Sequence, residues 1–99
     1  MKMEEVEKTR ALLEELGEKV LIARLDSFVR LNEGLETKKG EDYVKLSILG
    51  FLEGMLMTLK TKYGENEKVT RLYEEIRAKR AELDELFRKP KMQNLGTQA

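Results

Sequence analysis

Apolar residues recur at helical spacing over most of the chain, and the breaks in that rhythm mark out the elements. From Met3 to about Glu33 there is no proline, and Val6, Leu13, Val20 or Leu21, Phe28 and Leu31 fall near a 3.6-residue period with Glu, Lys and Arg between them. The pattern predicts a first helix. Gly17 lies in its middle, where a glycine either caps a short helix or is carried inside a longer one at a cost of roughly 1 kcal/mol relative to alanine. No Ser, Thr, Asn or Asp stands between Glu14 and Ile22 to cap a second helix. The sequence therefore favours one helix of about 31 residues bent at Gly17, while a break there would give a four-helix variant.

Asn32, Glu33 and Gly34 close this element, and the polar run to Gly40 reads as a connection. A second helix is expected from Glu41 to about Tyr63, with Glu41 and Asp42 at its positive end and Lys60 and Lys62 at its negative end. Gly64 supplies the stop and Asn66 the cap for a third helix, Glu67 to about Arg88, so these two should be antiparallel neighbours. The third helix carries Val69, Leu72, Tyr73, Ile76, Leu83, Leu86 and Phe87 on one stripe, and Pro90 is expected to halt it. The expected fold is all-α: an up-down-up three-helix bundle over residues 1–89, with a disordered tail over residues 90–99.

The middle helix departs from a simple amphipathic pattern. Val44, Ile48, Leu49, Phe51, Leu52, Met55, Leu56, Leu59 and Tyr63 fall on one broad arc, the expected core face. Ser47, Gly50, Gly54, Thr58 and Thr61 share another, flanked by Leu46 and Met57, and only the neighbourhood of Glu53 and Lys60 looks committed to water. A helix apolar or small over so much of its circumference is usually buried on two sides, and small residues three and four apart let another helix come close. Either the stripe accommodates the first helix within one chain, or it is a self-association seam where Gly50 and Gly54 of two copies meet about a two-fold axis. The sequence favours the seam, and hence a homodimer. A first helix of about 46 Å beside partners of about 34 Å points the same way, because Val6, Leu12, Leu13 and Leu16 would lie at an uncovered end.

Composition narrows the function. Ninety-nine residues make one domain, and 40% hydrophobic residues against 38% charged are enough for a small core and exclude global disorder. Nineteen basic residues cancel 19 acidic ones, which is poor support for a nucleic-acid or membrane-surface binder. The absence of cysteine and histidine excludes disulfides, thiol catalysis, Cys-ligated metals and every Ser–His or Cys–His dyad. MKMEEVEKTR has no apolar signal core and no stretch is long enough to span a bilayer, so a cytoplasmic protein without membrane association is expected. The excess of Glu and Lys over Gln and Asn resembles the composition of hyperthermophile proteins.

Two patterns bear on chemistry. Glu14, Glu15 and Glu18, in EELGE, resemble the EExxE half of the metal-binding signature of the all-α nucleoside triphosphate pyrophosphatases, which implies magnesium held against a substrate's phosphates. The second half, ExxD on the next helix, is not present, and its nearest substitutes are Glu33 and Glu36. In a chain with 16 Glu, solvated helix surface is the plainer reading, and no catalytic residue, metal or cofactor is expected. Arg77, Lys79, Arg80, Arg88 and Lys89 form a locally basic run that suits polyanion contact, although Glu74, Glu75, Glu82, Asp84 and Glu85 interleave with it. The sequence thus points to a small non-enzymatic helical interaction or scaffold module, homodimeric and with an unidentified protein partner. A nucleic-acid-associated accessory protein and a carboxylate–metal phosphohydrolase are the alternatives.

Overall fold

A left-handed glycine divides the first predicted element. The computed structural model, which describes the backbone of residues 2–98 and the side chains of residues 2–88, has five helices. These are α1 (Glu4–Leu16), α2 (Lys19–Asn32), α3 (Glu36–Lys39), α4 (Glu41–Tyr63) and α5 (Glu67–Gln98). The fold is all-α, with no strand among the described residues, and it takes the four-helix variant with one added turn, α3. Gly17 sits at φ 72 and ψ 25; its N–H donates to the Glu14 carbonyl at 3.1 Å and the Glu18 N–H to that of Leu13 at 2.9 Å. This pair of bonds satisfies carbonyls at the end of α1 and turns the chain back.

The missing cap that argued for a continuous helix is real, since Glu18 makes no side-chain capping bond to α2. The glycine cap at the end of α1 outweighs it. The α1–α2 hairpin brings Leu12 and Leu13 into the core, so the overhang expected at the start of the chain does not form, and its support for the seam is withdrawn. A Cβ at Gly17 would meet nothing within 4 Å, so Gly17→Ala is opposed only by the positive φ. We expect a loss of about 1 kcal/mol in urea unfolding. An unchanged midpoint would place the join outside the left-handed region.

Helix α4 has the predicted bounds and buries Val44, Ile48, Leu49, Leu52, Met55, Leu56 and Leu59. These residues form one core with Leu13 and Leu25 of the hairpin and with Val69, Leu72, Tyr73 and Ile76 of α5. Leu35, in the connection read as polar, packs against that core. Helix α5 begins as predicted, with Asn66 Oδ1 accepting from the Val69 N–H at 3.2 Å.

It does not stop at Pro90. It continues to Gln98, because a proline removes one helical hydrogen bond and crowds one preceding carbonyl, and here neither ends the helix. The tail predicted over residues 90–99 is thus helical as far as Gln98, and its side chains lie outside the described residues. The long element is α5, with 32 residues against 23 in α4. Its apolar stripe leaves the core beyond Leu83, and Leu86 and Phe87, predicted as core, are 57% and 42% exposed.

Helix α4 lies between α2 and α5, and α1 packs on all three. The molecule therefore has two layers, in keeping with Cα extents of 54 × 31 × 17 Å. One side of α4 is left without a neighbouring helix.

Candidate functional site

The flanks of α4 define its open side. Glu18 reaches Lys62 and Phe28 stacks on Phe51 at 4.1 Å between ring centroids, so α2 runs antiparallel along one flank. On the other flank Arg80 Nε lies 2.5 Å from Glu53 Oε1, and Lys60 Nζ lies 4.5 Å from the centroid of Tyr73. The side of α4 that looked committed to water thus faces α5, where its charges find partners.

What faces solvent is the predicted seam. Gly50, Gly54, Met57, Thr58 and Thr61 are exposed, Leu46 and Ser47 are partly so, and all seven share one face. Tyr43 is exposed in line with them. Helical spacing alone puts Tyr43 on this face, and the stripe read from the sequence omits it. The alternative in which the stripe accommodates the first helix is overturned: a Cβ at Gly54 would meet nothing within 4 Å, and one at Gly50 only Arg80 Cδ at 3.8 Å. Packing within the chain does not require either glycine.

In a chain with 38% charged residues, these eight positions carry no charge. The two threonine hydroxyls are also occupied. Thr58 Oγ1 donates to the Gly54 carbonyl and Thr61 Oγ1 to that of Met57, each at 3.2 Å. Covering the face would leave neither threonine with an unpaired donor. Two shallow depressions flank the glycines, one of about 290 Å³ against Leu21, Arg24 and Phe51, the other of about 360 Å³ against Glu53, Tyr73 and Arg80.

The acidic motif forms no joint site. The break at Gly17 takes Glu18 off α1, and each carboxylate goes to a different cation: Glu14 to Arg10, Glu15 to Lys68 and Glu18 to Lys62. Among the described residues no group of three or more Asp, Glu, His or Cys is placed to hold a metal. Glu15 and Glu18 instead fasten the hairpin to α5 and α4, together with the two-pronged Arg10–Asp26 pair at 3.0 Å per bond and Lys8–Glu75 at 2.9 Å.

Glu18 is the most enclosed of these, accepting from Lys62 Nζ at 2.6 Å and from the Tyr63 hydroxyl. The Lys62 bond, seconded by Tyr63, holds its carboxyl below the ordinary value of 4.5. A depressed folded-state pKa stabilises the fold above the unfolded value, and that contribution is lost as pH falls through the folded value. Unfolding midpoints should therefore fall with pH below about 4.5, and less steeply in Glu18→Gln. Equal slopes in the two proteins would show that Glu18 does not carry the effect.

The basic run is dispersed. Arg80 is bound to Glu53 and Arg88 to Asp84 at 3.4 Å, while Lys79 lines a depression with Glu4 and Glu82 on the side of α5 toward α1. Arg77 is exposed, and the Lys89 side chain lies outside the described residues. Among the described residues no helix is long and apolar enough to cross a membrane.

Fold and face together define a small all-α protein of five helices with an uncharged face on α4. Residues 6–97 match the model of a family described as protein of unknown function, DUF3216, and the chain belongs to that family. It is similar to a singleton protein from P. furiosus, whose crystal structure matches with a TM-score of 0.78 at 43% sequence identity, over 84% of this chain and 90% of that one. No curated protein matches the chain.

Proposed function

We propose that this DUF3216 protein is a non-enzymatic helical interaction module that works as a homodimer through the open face of α4. The observation that carries the reading is the exposed, uncharged line from Tyr43 to Thr61, centred on two glycines that nothing in their own chain requires. Glycine in an exposed helix interior costs roughly 1 kcal/mol relative to alanine, so two of them are best explained by a backbone that approaches from outside.

Size is adequate as well. The broad side of the molecule measures 54 by 31 Å between Cα extremes, and roughly half of it supplies the about 800 Å² per partner of a standard stable interface. Light scattering on a sizing column is expected to give about twice the 11.5 kDa chain mass at micromolar concentration. A mass that stays at one chain at all concentrations would overturn the proposal.

A further inference from the structure

Helix α2 presents a second uncharged line to solvent. Val20, Ala23, Ser27 and Leu31 stand about one turn apart, all exposed, with Val20 at 68% and Leu31 at 75%. Arg24 and Phe51 belong both to the depression beside Gly50 and Gly54 and to a second, of about 390 Å³, along α2. The two lines are therefore one surface. Both have the same profile, small in the middle and large at the ends: Ala23 and Ser27 between Val20 and Leu31, and Gly50 and Gly54 between Leu46 and Met57.

The helix registers fix how residues line up across this surface. The Glu18–Lys62 bond and the Phe28–Phe51 stack put Ser27 level with the middle of the interval from Gly50 to Gly54. On the other flank, the Glu53–Arg80 and Lys60–Tyr73 contacts put Arg77 about one turn to one side of that level and Asp84 about one turn to the other. Arg77 makes no ion pair among the described residues, and Asp84 meets only Arg88, at 3.4 Å.

Resting on the homodimer reading, we infer that the second copy lies antiparallel, its two-fold axis passing beside Ser27 and between Gly50 and Gly54, so that α2 packs on the partner's α2 and α5 on the partner's α5. This axis exchanges the levels of Arg77 and Asp84, so each Arg77 meets the Asp84 of the partner and two equivalent ion pairs form. It also brings Leu31 level with the partner's Ala23. A two-fold axis along α4 would make the helices parallel and set α2 against the partner's α5. Arg24 would then lie level with Arg77 and Arg80, cation against cation, and the apolar line of α2 would lie against the charged helix. The antiparallel arrangement sets Arg24 level with the partner's Arg30, but on opposite margins of the α2 line, so the two Arg77–Asp84 pairs and the match of that apolar line to its own copy select it.

The chain has no cysteine, so Ser27→Cys introduces its only thiol, at an exposed position. Next to the axis two such thiols come within disulfide reach, and mild oxidation is expected to convert most of the protein to a covalent dimer. Ala11→Cys, exposed on α1, should cross-link little. Arg77→Asp is expected to weaken association roughly tenfold, and Arg77→Asp with Asp84→Arg to restore it. A wild type of dimeric mass whose Ser27→Cys variant does not cross-link would overturn the antiparallel arrangement while leaving the homodimer in place. A wild type of monomeric mass would overturn both.

Discussion

Gly54→Leu is expected to convert the proposed dimer to a monomer while leaving the fold intact. Within its own chain the new side chain points into open space, since even a Cβ there meets nothing within 4 Å. Leucine is also preferred to glycine in a helix interior by nearly 1 kcal/mol, so the isolated subunit should melt no lower than the wild-type subunit. At a seam where two backbones approach, the same side chain occupies the space of the partner helix. We expect affinity to fall at least about a hundredfold, roughly 2.7 kcal/mol. Light scattering reads the mass and circular dichroism the helix content. A variant that remains dimeric with wild-type affinity would sink the seam, and one that loses its helices would show that Gly54 serves the fold.

Leu56→Ala should have the largest effect on stability. Leu56 is fully buried on α4, in the core that α4 shares with the hairpin and α5. Removing its branched end loses burial and leaves a cavity, a change that costs about 2–5 kcal/mol at such sites. A domain of this size has only about 5–15 kcal/mol in total, and each kcal/mol moves its melting temperature by roughly 4–8 °C. A fall of roughly 8–40 °C is therefore expected by calorimetry. A shift of only a few degrees would mean that neighbouring side chains collapse into the space.

The two faces of α4 were legible in the sequence because side-chain direction around a helix follows from its period, and because Gly64 and Asn66 punctuate the chain after it. Period alone brought Leu46, Ser47, Gly50, Gly54, Met57, Thr58 and Thr61 together. It does not reveal what lies opposite. Glu53 and Lys60 looked exposed because charge normally seeks water, yet their partners are Arg80 and Tyr73, distant in sequence and brought close only by the α4–α5 turn. Leu86 and Phe87 keep the rhythm of α5 although no neighbouring helix covers them. Gly17 was weighed against the lack of a polar cap for α2. That comparison could not include the use of Glu18 as an anchor for Lys62, 44 residues away.

Gly17 and Gly64 each close a tight turn between helices adjacent in sequence, and both turns carry positive-φ glycines. Short loops between sequence neighbours cost little closure entropy, and helical chains dominated by such local packing fold in about microseconds to milliseconds. Neither turn has to open for the α4 face to meet another molecule, because α2, α4 and α5 complete that face within one chain. Subunits of the proposed dimer would exchange as folded bodies. Mixing two labelled populations would then be limited by dissociation, with no unfolding step on the way.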